Sequence, residues 1–129
     1  MALFTFTKAI LEGAPIDVFN NGKMRRNFTY IDDIVQGVLL VLNAPVAFEI
    51  YNIGNGRAEN LIDFIGEIET ACGKKAEMRL LPMQPGDVPA TVADIGKIEK
   101  LGYRPTTNIT EGVKRFVEWY RKYYYRNNV

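Results

Sequence analysis

The stretch VFNNGKMRRNFTYIDDI, residues 18–34, decides the fold of this chain. Residues 16–19 are rich in β-formers, and Asn20-Asn21-Gly22 has the residue types of a tight turn. A second β-rich run, residues 27–31, follows this turn. The spacing therefore predicts a hairpin-like pair of strands, one on each side of the turn.

A helix is predicted directly after the second run. Asp32 or Asp33 has a side chain typical of a helix N-cap, and the residue before Pro45 is steered away from helical geometry. Apolar residues recur at helical spacing between these two limits. The predicted apolar face of this helix consists of Ile34, Val35, Val38 and Leu42.

The same two periodicities predict the elements in the rest of the chain. Asn108-x-x-Glu111 is typical of a capping box at a helix start, and Gly73 is typical of a helix end. The layout is a mixed α/β module with about five helices and three or four short strands. The further predicted elements are a helix over 3–11, a strand over 48–53, a helix over 60–72, a strand over 76–81, a short helix over 94–102 and a closing helix from Asn108.

An extended loop is predicted over residues 82–89. Pro82, Pro85 and Pro89 remove backbone donors, and Gly86 favours a turn, so neither a helix nor a central strand fits this segment. A loop of this kind beside a strand is a candidate wall of a ligand site.

Composition limits the classes of function that the chain can have. Its 129 residues fit one domain, and 16 Lys and Arg against 15 Asp and Glu leave a formal charge of +1, which favours neither nucleic acid nor an anionic membrane. Cys72 is the single cysteine, which excludes an internal disulfide, offers no metal cluster and favours a reducing, cytoplasmic setting. The chain contains no histidine and no serine, so Ser/His/Asp and Cys/His catalysis are excluded.

The segment Lys23-Met24-Arg25-Arg26 is the densest positive patch of the sequence. Guanidinium groups suit phosphate because their planar forks donate paired hydrogen bonds. A solvated strand edge is the alternative interpretation of such a basic segment, since exposed Arg and Lys are common. The residues around the patch distinguish the two.

An ordered set of motifs gives the chain its family resemblance. Residues 18–34 resemble the extended short-chain dehydrogenase/reductase family, which includes the NAD-dependent epimerases and dehydratases. Five further matches follow in the family's order: Tyr51-Asn52-Ile53-Gly54, residues 81–88, Ala93-Asp94, Leu101-Gly102-Tyr103-x-Pro105, and Glu111-Gly112 leading to Trp119-Tyr120. The opening residues 1–8 and the stretch Pro-Met-Gln-Pro-Gly-Asp-Val, residues 82–88, are similar to bacterial UDP-glucuronate 4-epimerases.

The resemblance covers the whole chain but roughly the last two fifths of such an enzyme. It implies a small mixed α/β module, residues 1–129, that is the C-terminal substrate-binding part without the N-terminal Rossmann half. The Gly-x-x-Gly-x-x-Gly turn that seats NAD in the family, and its Tyr-x-x-x-Lys, are absent from this sequence. The implied function is part of a UDP-sugar 4-epimerase with no catalytic residue and no bound NAD, inactive by itself. A free-standing, non-catalytic UDP-sugar-binding or interaction module is the alternative.

The resemblance also implies binding roles for individual residues. Val18 and Phe19 would flank the uracil, partly through backbone groups, and Arg26 would reach the diphosphate. Asp87 would contact a ribose hydroxyl, and Gln84 stands where many family members have an Arg that faces the phosphates. Core packing is an equally natural role for Val18 and Phe19, because apolar side chains serve both purposes.

Two other segments have open interpretations. Asn27 stands where many family members have Asp, which removes a charge beside Arg26. Gly54-Asn55-Gly56 could approach a phosphate, but it lacks the rest of a phosphate-binding motif, so a structural turn is favoured. In the family the run 48–53 lies at the junction with the N-terminal half, so we expect an exposed apolar edge there and homo-oligomers through it.

Overall fold

The structure is a computed structural model and describes residues 2–45 and 48–125. These residues form five α-helices and four short strands, which is the mixed α/β class that the sequence predicts, although two of the strands lie at other residues than expected. The elements are α1 (Ala2–Glu12), β1 (Ile16–Val18), a 3₁₀ turn (Phe19–Gly22), β2 (Arg25–Arg26), α2 (Ile31–Leu42), β3 (Glu59–Asn60), α3 (Leu61–Cys72), β4 (Met78–Leu80), α4 (Gly96–Glu99), α5 (Ile109–Tyr120) and a π turn (Arg121–Tyr125).

The predicted hairpin is wrong. β1 pairs in parallel with β4, Val18 opposite Leu80, and β2 pairs antiparallel with β3. Asn20 and Asn21 have positive φ angles of 51° and 49°, which hairpin turns also use, so the turn itself does not exclude a hairpin. No hairpin forms because β1 and β2 each pair with a strand later in the chain. Residues 27–30 form no strand, because the ladder stops at Arg26 and the next residues lead directly into α2.

The core lies where α1, α3 and α5 meet the inner face of β1. Phe28 stacks on the ring of Phe64 with the ring centroids 3.8 Å apart, which fixes the segment before α2 against α3. The residues of this core are apolar at helical or strand spacing, as expected for a single domain. They are Ile10, Leu11, Ile16, Val18, Phe64, Ile65, Ile68, Cys72, Val113, Val117 and Tyr120.

Two predicted helix ends are confirmed and one is wrong. The Asn108 side chain accepts a hydrogen bond from the Glu111 N–H at 2.9 Å, and Gly73 ends α3 with φ 63°. α2, however, begins after Tyr30 without a side-chain cap. Asp33 does not cap α2, because its buried carboxylate accepts bonds from the Thr106 N–H and hydroxyl and from the Thr107 N–H (residues 106–107), at 2.9 to 3.2 Å.

The predicted apolar face of α2 points into solvent. Ile34 is half-buried, but Leu42 is 74% exposed, and several other apolar side chains of this helix are exposed with it. Residues 48–53 form no strand, because no described segment pairs with them. The exposed apolar set, which we call the α2 surface, consists of Ile31, Val35, Val38, Leu39, Leu42, Phe48 and Ile50.

Candidate functional site

Residues 82–88 form a loop that is tied to the segment 18–25 at both of its ends. At one end, the Leu81 N–H donates to the Val18 carbonyl, and the Leu81 carbonyl accepts from the Asn21 N–H, both at 3.0 Å. At the other end, the Arg25 N–H donates to the Pro89 carbonyl at 2.8 Å. This loop, the 82–88 clasp, therefore lies beside the turn and the basic segment.

A turn inside the clasp directs Asp87 toward β2. The Asp87 N–H donates to the Gln84 carbonyl at 3.2 Å, Pro85 occupies the second position, and Gly86 has φ 82°. A Pro followed by a Gly of positive φ is typical of a type II turn. The sequence pattern thus sets the direction in which the chain leaves the turn at Asp87.

Arg26 and Asp87 form an ion pair between β2 and the clasp. The distance from Arg26 Nη2 to Asp87 Oδ1 is 2.8 Å, and Arg26 Nη1 donates to the Arg25 carbonyl at 3.0 Å. The same Asp87 oxygen accepts the Val88 N–H at 2.8 Å. Both side chains are partly buried, 24% exposed for Arg26 and 33% for Asp87, so the pair is oriented yet open to solvent on one side.

The structure brings some of the predicted site residues together and places one of them in the core. Arg26 and Asp87 are in contact, Gln84 is exposed in the same clasp, and Phe19 is half-buried in the turn that the clasp faces. The Val18 side chain is fully buried among core residues, which is the packing alternative for this residue. Any contact from Val18 to a ligand would therefore have to use its backbone.

The two arginines of β2 have separate environments. Arg26 contacts the clasp, whereas Arg25 is exposed and donates from Nη2 to the Ala58 carbonyl at 3.2 Å. Successive residues of an extended chain point to opposite sides, which accounts for this division. Arg26 is the guanidinium that lies against the predicted ligand wall.

Asn27 is a structural centre that the sequence analysis left unexplained. Its Nδ2 donates to the Arg57 carbonyl at 2.8 Å, and its Oδ1 accepts from the Asn55 N–H and the Thr29 hydroxyl, both at 3.1 Å. A carboxylate accepts hydrogen bonds but has no N–H to donate. Asn therefore satisfies both the donor and the acceptor contacts at this position. The sequence pattern alone did not indicate these contacts.

The glycines of Gly54-Asn55-Gly56 serve packing rather than phosphate binding. A Cβ on Gly54 would lie 2.7 Å from the Ala93 Cβ and 2.8 Å from the Asn27 Oδ1. The Gly54 carbonyl accepts the hydroxyl of buried Tyr103 at 2.9 Å. Burial, with the negative charge of Asp33, raises the pKa of Tyr103, so this phenol stays a neutral donor.

Two cavities lie away from the Arg26–Asp87 pair. One has a volume of about 720 Å³ and contains Arg57 and Arg104 together with acidic side chains. The other has a volume of about 450 Å³ and is mainly apolar, beside the Phe28–Phe64 stack. Neither is lined by Val18, Phe19, Arg26, Gln84 or Asp87. We call the exposed or partly exposed side chains of Phe19, Arg26, Gln84 and Asp87 the open face.

The described parts of the chain lack two other kinds of feature. Among residues 2–45 and 48–125, no cluster of three or more Cys, Asp or Glu side chains is arranged to hold a metal ion. Within the same ranges, no helix has the length and apolar character needed to cross a bilayer.

Comparison with known proteins shows which family the chain resembles. The model of the NAD dependent epimerase/dehydratase family matches residues 1–54. The UDP-glucuronate 4-epimerase of Thermodesulfobacterium geofontis is 44% identical over 121 residues, which are 92% of this chain and 37% of that protein. Over residues 1–54 the chain is thus similar to the NAD dependent epimerase/dehydratase family, and over nearly its whole length it is similar to UDP-glucuronate 4-epimerases.

Solved structures of the family share the fold. The UDP-glucuronic acid 4-epimerase of Bacillus cereus, in complex with UDP-glucuronic acid and NAD, superposes with a TM-score of 0.89 and 32% identity, over 96% of this chain and 40% of that one. The UDP-glucose 4-epimerase of Thermotoga maritima, with UDP-glucose, gives 0.87 and 30% identity over 95% and 40%. The chain spans about two fifths of the length of the curated relatives that it matches.

The Gly54 turn does not have the features of a turn that seats the pyrophosphate of NAD. A Cβ on Gly54 would meet Asn27 and Ala93, so the lack of a Cβ makes room for these protein atoms. No other Gly-rich turn before a helix occurs in the part of the chain that the structure describes. We therefore derive no step that uses NAD from these residues.

We expect Asn27→Asp to destabilise the fold by about 0.5 to 1.5 kcal/mol, the net contribution of a typical hydrogen bond, because Asn27 is half-buried. The new carboxylate cannot donate to the Arg57 carbonyl and faces it with a second acceptor. Urea unfolding followed by circular dichroism measures the change. The control is Asn52→Asp, where an exposed amide makes one bond of 3.2 Å to the Asp94 carbonyl. An equal loss in both variants would contradict a special role for Asn27.

Proposed function

We propose that this chain is part of a UDP-sugar 4-epimerase, with UDP-glucuronate as the substrate, and that it supplies part of the nucleotide-sugar pocket. The observation that supports this most is the oriented Arg26 beside the 82–88 clasp, in a chain whose relatives are UDP-glucuronate 4-epimerases. A fixed guanidinium with an open side is suited to a diphosphate.

The open face gives each predicted residue a possible part in binding. Arg26 contacts the diphosphate, and Phe19 with the backbone of Val18 lies beside the uracil. Gln84, on the exposed turn of the clasp, adds hydrogen bonds without charge, so the positive charge at the phosphates comes from Arg26. These are binding roles, and none of them moves a proton.

Catalysis requires groups that this chain does not provide. The sequence has no Tyr-x-x-x-Lys, and the Gly54 turn lacks the features of one that seats NAD, so neither a base nor a hydride acceptor can be assigned to these residues. The chain contributes substrate binding to an epimerase whose catalytic and NAD-binding residues lie elsewhere. The cytoplasm, where nucleotide sugars and reduced cysteines occur, is the proposed location.

The α2 surface supports a proposal about assembly. Leu39, Leu42, Phe48 and Ile50 are 54 to 88% exposed and belong to one apolar helix face and the segment after it. Soluble monomers rarely expose large contiguous apolar patches, and a segment outside any strand ladder can pair with another chain. By itself, this chain forms dimers or higher oligomers through the α2 surface.

Arg26→Ala should weaken binding of a UDP-sugar to a full-length epimerase containing this chain by about 1.5 to 3 kcal/mol, the range for a hydrogen bond to a charged group. Arg25→Ala is the matched control and should cost less than about 1 kcal/mol, as for a surface cation. Isothermal titration calorimetry measures both. Equal losses, or a larger loss from Arg25, would show that the wrong arginine has been assigned to the phosphates.

The chain alone should bind no NAD with a dissociation constant tighter than roughly 100 μM, or about 5.5 kcal/mol. The reason is that the lack of a Cβ in its Gly54 turn makes room for protein atoms rather than for a pyrophosphate. Calorimetric titration with NAD measures this, and an assay with UDP-glucuronate should detect no epimerisation. A tighter, saturable NAD isotherm would refute the division of roles proposed above.

Leu39→Glu should shift the chain from oligomer toward monomer, because a charge in the centre of an apolar interface is costly to desolvate. Light scattering coupled to size-exclusion chromatography measures the molar mass. Val92→Glu is the control, since Val92 is similarly exposed but lies outside the α2 surface. A strictly monomeric wild-type chain at high concentration would refute association.

A further inference from the structure

We propose that Asp87 is a positioning residue, which holds the Arg26 guanidinium so that its free edge meets the diphosphate of a UDP-sugar. This inference rests on the proposed function. It gives Asp87 a different role from the ribose contact that the family resemblance implies. It is drawn from the ion pair itself and from the way the clasp fixes the carboxylate.

The first argument concerns the donors of Arg26. A guanidinium has five N–H groups. One N–H on Nη2 is directed at Asp87 Oδ1 and one on Nη1 at the Arg25 carbonyl, at 2.8 and 3.0 Å. Bonds on both terminal nitrogens fix the plane of the group and leave three N–H donors. The Arg26 side chain is 24% exposed, so it is not closed off by the protein, and we assign the contact with the phosphate to these remaining donors.

The second argument concerns the position of Asp87. Its Oδ1 already accepts the Val88 N–H, and its backbone N–H is bonded to Gln84 in the Pro85-Gly86 turn. The clasp is anchored to the segment 18–25 at both ends. The carboxylate is thus fixed by main-chain bonds before any ligand binds. Orientation that exists before binding lowers the entropy cost of binding.

The charge of Asp87 acts in the opposite direction. A carboxylate beside a phosphate-binding arginine reduces the attraction for the anion, whereas its hydrogen bond improves the geometry. Asp87→Asn separates these effects, because it keeps an oxygen acceptor for Arg26 and removes the charge. Asp87→Ala removes both.

The test is a set of NMR titrations of the 129-residue chain, which report millimolar dissociation constants. The ligands are UDP, inorganic pyrophosphate and uridine. We expect Asp87→Ala to weaken UDP and pyrophosphate by the same factor, about three- to tenfold, the equivalent of one lost hydrogen bond. Uridine should bind unchanged, and Asp87→Asn should recover most of the loss.

Asp17→Ala is the matched control, because Asp17 also pairs with an arginine at 2.8 Å, in this case Arg79, but outside the clasp. It should leave all three dissociation constants unchanged. If Asp87→Ala does not fold, Arg26→Lys replaces it. Lysine keeps the charge but lacks the planar fork, so it should show the same loss, limited to the phosphate ligands.

Three outcomes would overturn the inference, and they differ from one another. Equal losses for uridine and UDP with unchanged pyrophosphate would assign Asp87 to the ribose. Tighter pyrophosphate binding by Asp87→Ala than by the wild-type chain would make Asp87 a competitor for Arg26. Absence of UDP binding to the wild-type chain would refute the proposed function itself, and this inference with it.

Discussion

The structure depends on one long-range constraint. The backbone of residues 16–25 forms hydrogen bonds with residues 77–91. The Ile16 N–H donates to the Glu77 carbonyl at 2.8 Å, Leu81 bonds to Val18, and Pro89 bonds to Arg25. A buried backbone needs these partners, because an unpaired polar group in the interior is costly. The 82–88 clasp lies beside this segment because both of its ends are bonded to it. The Arg26–Asp87 pair forms between these two points of attachment.

Local signals predicted the elements whose stability is local. The caps at Asn108 and Gly73 and the helices α1, α3 and α5 follow from side chains within a few residues of each other. The hairpin failed because strand pairing is not local. β1 bonds to a strand about sixty residues later, although Asn20 and Asn21 adopt the positive φ angles that hairpin turns use. Nothing in the turn pattern shows that its two flanking segments prefer other partners.

The candidate site divides in the same way. Arg26, Gln84 and Asp87 could be selected in advance from the family resemblance, but their contact could not, since it requires the clasp to close across the chain. Asn27 was visible as a departure from the family. Its meaning required the positions of the Arg57 carbonyl and the Asn55 N–H, both about thirty residues away. In the sequence pattern, Asn in place of Asp at position 27 is a change of charge. In the structure, it supplies the hydrogen-bond donor that this position needs.

The attachment of α2 explains how a helix can have its apolar face in solvent. Asp33 accepts three hydrogen bonds from residues 106–107, and Gly37 lets Ile53 approach the helix closely. These contacts fix α2 through the side of the helix opposite its apolar stripe. The position of the helix therefore does not depend on burial of that stripe. Full burial of a Leu or Val side chain contributes about 1.5 to 3 kcal/mol. The free energy of unfolding of a domain is about 5 to 15 kcal/mol. The free energy gained by covering even part of this stripe is therefore a large fraction of it. Any apolar surface of matching shape that covers α2 will thus stabilise the whole chain.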